Sequence, residues 1–194
     1  MVPSYFAPIS HWKEIISGNI LWDLNQNFAK QSIRNRTHIY GPNKVLKLSV
    51  PIRHSKNSFI LKEALIENDF KWQKDHWKSI ESSYKSSPFF EYYEDSLKKL
   101  YVNKYEKLSN FNFDGIKLIS EWLEIDFQLK LTESYQKKYQ TGKDLRFMSE
   151  KNHDDLFKAK EYIQVFSYKH GFKNNLSILD LIFNEGPNSL SYLE

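Results

Sequence analysis

The sequence contains no cysteine. Disulfide bonds, thiolate nucleophiles and cysteine-ligated metals are therefore excluded, and a reducing cytoplasm is compatible with the chain. Glycine is scarce, and its six residues are isolated from one another. Neither the GxxxxGK[ST] nor the GxGxxG pattern occurs, and GxSxG and HExxH patterns are absent as well. These absences exclude a glycine-rich phosphate loop, a nucleophile elbow and a zincin helix.

Long apolar runs are also missing. Pro3, Pro8, His11, Lys13 and Glu14 interrupt the stretch where a signal peptide would need an unbroken apolar core. No window approaches the length of a transmembrane helix, so we expect no membrane span and a cytoplasmic location. The histidines lie far apart and lack metal-ligand spacing, so no metal site is expected. The sequence identifies no cofactor and no oligomeric state.

Charge of one sign is not concentrated anywhere in the chain. There are 28 Lys and Arg against 24 Asp and Glu, scattered along 194 residues, so a nucleic-acid partner is not expected. This length predicts a single domain, residues 1–194, with a real core. Aromatic residues reach 16%. They suit either a core or the lining of a ligand pocket.

The order of patterns predicts an α/β protein, a small mixed sheet flanked by helices. A Rossmann-like layout is one arrangement and α+β is the alternative. The predicted strands are residues 2–6, 20–24, 45–50, 127–131 and 162–166, and residues 31–39 pair with 44–51 across the turn at 41–43. The predicted helices are residues 10–17, ended by Gly18, then 69–84, 90–107 and 113–123, and a last helix that Asn175 or Ser177 caps and Gly186 closes. Residues 132–155 read as a long loop that covers or flanks a site.

Residues 31–39 place two arginines, two amides and a histidine between apolar residues. If the segment is extended, the side chains of Arg34, Arg36 and His38 project from one face. Two planar guanidinium groups on one face suit a carboxylate or a phosphate. A charged edge strand that discourages aggregation explains the same pattern equally well.

The other candidate catalytic residues can each be explained by a purely structural role. His76, between Trp72 and Trp77, fits a packed histidine better than a catalytic one, and the same holds for His170. Asp180 fits a structural hydrogen bond in the last helix as well as a catalytic role.

Five blocks, taken in order, carry a resemblance to the WbqC-like protein family. They are Tyr5-Phe6-x-Pro8, Gln31-x-x-Arg34-Asn35-Arg36-x-His38, Trp72-x-x-x-His76-Trp77, Tyr84-x-x-x-Pro88-Phe89-Phe90-x-Tyr92-Tyr93, and the block 164–187 with His170, Asn175, Asp180 and Gly186-Pro187. The sequence departs from this pattern at Thr37, where similar members commonly carry a cysteine. A cysteine nucleophile at that position is therefore not essential here.

The family takes its name from a gene of bacterial O-antigen clusters. The resemblance implies an enzyme of surface-polysaccharide (lipopolysaccharide) synthesis that transfers an acyl or aminoacyl group to a nucleotide-activated amino sugar. The implied partner is a small molecule, a nucleotide sugar or an acyl donor. The roles hypothesised on this basis are anion or substrate binding for Gln31, Arg34, Asn35, Arg36, His38, Trp72 and Asn175, and acid-base chemistry for His76, His170 and Asp180.

Two alternative functions stay open. The order Phe6-x-Pro8-Ile9-Ser10-His11 is similar in layout to nucleotidylyl-transferase-like proteins, whose first loop holds nucleotide phosphates. A non-catalytic assembly protein of the same pathway is the other alternative. It predicts an exposed apolar patch that contains Phe89, Phe90, Tyr92 and Tyr93.

Overall fold

A computed structural model describes residues 1–55, 57–139, 142–150 and 157–194, and it combines helices with few, short strands. The described α-helices are α1 (Ile9–Ile15), α2 (Trp72–Tyr84), α3 (Phe90–Val102), α4 (Leu108–Trp122), α5 (Ser167–His170), α6 (Ile178–Glu185) and α7 (Leu190–Leu193). Short 3-10 helices occupy Leu61–Glu63, Arg146–Ser149 and Gly186–Ser189. The predicted combination of helices with a small sheet is confirmed.

The described strands form two pairs. Strands β2 (Arg36–Tyr40) and β3 (Val45–Ser49) are antiparallel, as predicted for a hairpin across residues 41–43, whereas β1 (Leu21–Trp22) and β4 (Lys130–Leu131) are parallel. The two pairs are separate sheets. In the described ranges no continuous parallel sheet is formed, so the Rossmann-like layout has no sheet to support it.

The predicted strand over residues 2–6 is wrong. This segment crosses the core as irregular chain, and Phe6 adopts a positive φ of 37°. Tyr5 is buried with its hydroxyl 2.9 Å from Nδ1 of His76 and 2.7 Å from the hydroxyl of Tyr101. The backbone of this segment is satisfied without a strand partner, because Tyr5 N–H donates to the carbonyl of Ile33 and the carbonyls of Pro3 and Phe6 accept from the side chains of Asn112 and Thr37.

Residues 162–166 form no strand, so this prediction is wrong, and the predicted strands over residues 20–24 and 127–131 are shortened to Leu21–Trp22 and Lys130–Leu131. The Gln164 side chain takes the place of a neighbouring strand. Its Nε2–H donates to the carbonyl of Lys173, and its Oε1 accepts from the Lys173 N–H at 2.7 Å. A side-chain amide reproduces the donor and acceptor of a backbone peptide, so it satisfies the backbone of Lys173, while the carbonyl of Gln164 itself accepts from the Ser167 N–H at 3.0 Å.

Helices α2, α3, α4 and α6 enclose an aromatic core. Phe111 lies at its centre, with ring centroids 5.2 Å from Trp72 and 5.4 Å from Tyr5, and Phe183 packs on Phe90 at 5.2 Å. Each such pair is worth about 0.5–1.5 kcal/mol beyond area burial. Phe90 and Tyr93 are buried in this core while Tyr92 is exposed, so the aromatic patch expected of an assembly protein is not formed.

Helix ends follow the predicted signals. Ser177 caps α6 by accepting from the N–H of Leu179, and Gly18 and Gly186 follow helices with positive φ. Four helices begin or end away from the predicted bounds: α1 spans Ile9–Ile15, α2 begins at Trp72, α3 ends at Val102, and α4 begins at Leu108. No helix in the described ranges has both the length and the apolarity to cross a bilayer.

Candidate functional site

Residues 26–36 form a partition between two cavities. The segment is held by backbone bonds from Leu61 N–H to the carbonyl of Gln26 and from Phe28 N–H to that of Phe59, both 2.8 Å. The same pairing stacks the rings of Phe28 and Phe59 with centroids 5.3 Å apart and planes 10° from parallel. Phe28, Gln31, Asn35 and Arg36 of this segment line one cavity, whereas Gln26, Asn27, Ala29, Ser32 and Arg34 line the other.

The first of these, which we call the Arg36 cavity, measures about 440 Å³. Arg36 begins β2 and pairs with Ser49, so the chain after Ser49 runs beside the chain before Arg36. Asn35 fastens this junction, because its carbonyl accepts from the Val50 N–H and its Nδ2–H donates to the carbonyl of Val50, both at 2.8 Å. The lining side chains are Phe28, Lys30, Gln31, Asn35, Arg36, Ser49, Arg53, His54 and Phe59, with Val50 to Ile52 and Ser55.

The lining of the Arg36 cavity is basic. It includes Lys30, Arg36, Arg53 and His54 but no Asp or Glu. Nε of Arg36 is buried without a hydrogen-bond partner among the described residues, and Arg53 has only a 4.0 Å contact with Glu67 outside the lining. Cations without carboxylate partners favour an anionic ligand, and guanidinium groups match the geometry of phosphate oxygens.

The second cavity, the Arg34 cavity, also measures about 440 Å³ and shares Lys30 with the first. Arg34 itself is only 3% exposed. Its backbone carbonyl accepts from Nδ2–H of Asn112 on α4, which fixes the turn that precedes β2. The lining residues are Asn25, Gln26, Asn27, Ala29, Lys30, Ser32, Arg34, Tyr135 and Glu150.

The guanidinium of Arg34 is held by neutral acceptors. Its Nη1–H donates to the carbonyl of Ser149 at 3.2 Å and its Nη2–H to Oε1 of Gln26 at 3.0 Å. Nε has no acceptor in the described part of the chain. Burial lowers the pKa of Arg34, while the more distant charges of Glu150 and Asp23 oppose that shift.

The two arginines predicted to share one face therefore line different cavities, Arg34 one and Arg36 the other. The extended conformation begins only at Arg36, because Arg34 lies in a turn outside β2. Within β2 the predicted alternation holds, with Thr37 and Ile39 buried and His38 exposed. Partial desolvation of the His38 ring by the surrounding chain, together with the nearby Lys47 and Arg36, lowers the pKa of His38. Gln31 and Asn35 line the Arg36 cavity, whereas His38 lines neither cavity.

Trp72 and His76 lie in the aromatic core instead. The two rings meet edge to face at 5.3 Å, and Trp72 Nε1–H points at Oδ1 of Asn68 at 3.4 Å. Burial lowers the pKa of His76 to about 4, against a backbone hydrogen bond with Ser49 that raises it. His76 is thus a neutral, packed imidazole at pH 7, and neither residue lines the two cavities.

The remaining predicted residues are separate from the cavities as well. Asp180 is fully buried and accepts hydrogen bonds from Tyr84, Tyr162 and Gln164. Asn175 ties two chain segments together, since its Oδ1 accepts from the Ser10 N–H at 2.8 Å. Nε2 of His170 lies 3.0 Å from the carbonyl of Pro42 at the hairpin turn. The structure therefore does not bring the three predicted acid-base residues together.

Sequence reasoning missed Phe28, Phe59, Arg53 and His54. The predicted hairpin carried the signal for two of them, because its register places the residues after Ser49 beside Asn35 and Arg36. The predicted long loop does flank the cavities, with Tyr135 and Glu150 at the Arg34 cavity, although residues 140, 141 and 151–155 of it lie outside the described residues.

A third cavity of about 290 Å³ lies beside a buried ion pair. Nη1 of Arg146 is 3.2 Å from Oδ2 of Asp23, and Nη2 is 2.6 Å from Asp144. Arg146 also donates to the carbonyls of Gln136 and Lys137. Its N–H groups are thus engaged by the protein, and the pair fastens the long loop to β1. In the described ranges, no three His, Asp or Glu side chains gather as metal ligands would.

His11 is not placed where the phosphate-binding loop of a nucleotidylyl-transferase-like protein would need it. It is fully buried on α1, and the strand expected before it is not formed, so the nucleotidylyl-transferase-like layout gains no support.

Comparison with known proteins assigns the chain to a family. The model of the WbqC-like protein family matches residues 3–160, so the chain belongs to this family. A relative from Mycobacterium tuberculosis (strain ATCC 25618 / H37Rv), described as uncharacterized protein Rv1507c, is 25% identical over 205 residues that cover 90% of this chain and 86% of the relative. Comparison with solved structures gave no significant match. The family match includes both cavities and ends before α5 and α6.

Proposed function

We propose that the protein binds a nucleotide-activated amino sugar in the Arg36 cavity and acts in surface-polysaccharide synthesis in the cytoplasm. The observation that carries this proposal is a cavity lined by basic side chains, without a carboxylate, beside a stacked aromatic pair. Arg36 and Arg53 suit the two phosphates, and the ring faces of Phe28 and Phe59 suit the base, since bases stack on aromatic side chains. The choice of pathway is supported by membership of the WbqC-like protein family.

The reaction we propose is transfer of an acyl or aminoacyl group to the sugar amine. The amine nitrogen attacks the acyl carbon, the bond to the donor's leaving group breaks, and the proton lost by the amine passes to that leaving group. His54 is the histidine that lines the Arg36 cavity. We assign the proton transfer to His54, because an imidazole exchanges protons near neutral pH and because His76, His170 and Asp180 lie elsewhere.

Binding is tested by calorimetry with UDP-N-acetylglucosamine, UDP, uridine and ATP. We expect UDP and its sugar to bind far more tightly than uridine, because the phosphates meet the cations. Arg36→Ala should weaken UDP binding by roughly tenfold or more, the value of a charge-assisted hydrogen bond.

Lys47→Ala is the matched control, since Lys47 is an exposed cation on the same hairpin that lines neither cavity. Its affinity for UDP should equal that of the parent. Equal UDP affinities for Arg36→Ala and the parent would contradict the proposal, as would binding of uridine as tight as that of UDP.

A further inference from the structure

Arg34 carries a buried charge that no carboxylate contacts directly in the described part of the protein. Arg34 is 3% exposed, and its two hydrogen-bond acceptors, Ser149 and Gln26, are both neutral. No ion pair of Arg34 occurs among the described residues, Nε has no acceptor there, and Glu150 and Asp23 act on its charge only from a distance. A buried guanidinium without a direct ion pair is unfavourable, and an anion bound against it in the adjoining cavity reduces that penalty.

The rest of the lining narrows the class of anion. Lys30 adds a second cation, whereas Glu150 contributes a carboxylate to the same cavity of about 440 Å³. Glu150 would repel a phosphate dianion, so the lining as a whole suits a ligand of lower charge. A monoanionic carboxylate that carries its own ammonium group matches both signs, with one end at Arg34 and the other at Glu150.

We propose that the Arg34 cavity binds the carboxylate of a small zwitterion of the α-amino acid class, with Glu150 receiving its ammonium group. Polar side chains of Asn25, Gln26 and Ser32 complete the lining. This inference deepens the proposed function, because it gives the acyl-group substrate a place of its own. The two cavities share Lys30, so the two substrates would lie on either side of residues 26–36.

The test is ligand-observed NMR of the full chain with L-alanine, acetate, ethylamine and inorganic phosphate. We expect L-alanine to bind, acetate to bind more weakly, ethylamine to show no binding, and phosphate to show no binding that depends on Arg34. Glu150→Gln should weaken L-alanine binding by roughly tenfold, because the ammonium contact is lost, and it should strengthen acetate binding, because a carboxylate that repels the anion is removed. Glu150 is exposed, so this variant preserves the fold.

Arg34→Lys retains the buried charge but removes the planar guanidinium, and it should weaken both L-alanine and acetate. Glu133→Gln is the matched control, since Glu133 is exposed on the same loop and lines neither cavity. Absence of L-alanine binding, equal effects of Glu150→Gln and Glu133→Gln, or phosphate binding that depends on Arg34 would each overturn the proposal. Arg36→Ala, which tests the nucleotide site, should leave L-alanine binding intact, so failure of one site is distinguishable from failure of the other.

Discussion

The Tyr84 hydroxyl donates a 2.9 Å hydrogen bond to Oδ1 of Asp180 and accepts one of 3.0 Å from the backbone N–H of Tyr40. The other carboxyl oxygen of Asp180 accepts from the Tyr162 hydroxyl at 2.6 Å and from Nε2 of Gln164 at 2.8 Å. All of these donors are neutral. Burial therefore raises the pKa of Asp180 to about 6, although the hydrogen bonds from Tyr162, Tyr84 and Gln164 lower it.

This pKa predicts a pH-dependent stability. The folded chain holds the Asp180 proton more tightly than the unfolded chain, so the contribution of Asp180 to the free energy of unfolding is larger below about pH 4 and decreases as the pH rises towards 6. The whole change amounts to roughly 3 kcal/mol. Urea denaturation of the parent and Asp180→Asn should show the parent gaining stability relative to the variant as the pH falls from 7 to 4.5. A constant difference would contradict the assignment.

Titration of His76 should change the free energy of unfolding in the opposite direction over a similar pH range. Burial lowers its pKa to about 4, so the unfolded chain binds the proton first, and stability is lost as the pH falls from about 6.5 to 4. Relative to His76→Gln, the parent should therefore lose roughly 3 kcal/mol over that range. Because the two groups oppose each other, the parent curve alone is uninformative and the paired variants are needed. Unchanged UDP binding by His76→Gln would agree with its place outside the Arg36 cavity.

The fold was predictable where local signals decide it. The turn at residues 41–43, the cap at Ser177 and the glycine ends at Gly18 and Gly186 follow from short-range chemistry. The predicted strands over residues 2–6 and 162–166 are wrong because their apolar alternation matches a strand, whereas distant side chains provide the pairing: Asn112 donates to the carbonyl of Pro3, and the Gln164 amide pairs with the backbone of Lys173. Periodicity cannot show that a distant side chain will replace a strand partner.

The sequence predicted which segment lines the candidate site but not how its side chains are arranged. The block from Gln31 to Arg36 does line the two cavities, but the two-residue spacing assigned both arginines to one face. A turn before β2 separates them, and nothing in the spacing reveals where a strand begins. His76 and Asp180 looked functional because titratable residues stand out in a sequence, whereas their burial depends on long-range packing with Tyr5 and Tyr162.

Gly186 packs closely against the ring of Phe89, so its replacement should destabilise the fold. Its φ is +53°, and a Cβ at this position would lie 2.5 Å from Cδ1 of Phe89, whose own N–H donates to the carbonyl of Phe183. Gly186→Ala should therefore destabilise the fold by about 3 kcal/mol or more, through both backbone strain and overlap. Gly18→Ala is the control, because Gly18 has φ +78° but open space around it. It should lose only about 1–2 kcal/mol, and equal losses in thermal denaturation would show that overlap is unimportant.

The pair Asp23 and Arg146 predicts a stability effect that the surface pair Glu14 and Lys143 should lack. Side chains of Asp23 and Arg146 are 1% and 7% exposed, whereas Lys143 is 65% exposed. Arg146→Ala leaves Asp23 buried beside Thr132 without its cation, and this should lower the free energy of unfolding by about 3–5 kcal/mol. Lys143→Ala should change the free energy of unfolding by less than about 1 kcal/mol.

The joint replacement, Asp23→Asn with Arg146→Met, should lower the free energy of unfolding by less than the two single losses added together, because it removes both buried charges at once. Strict additivity in urea denaturation would mean that the two charges do not depend on each other.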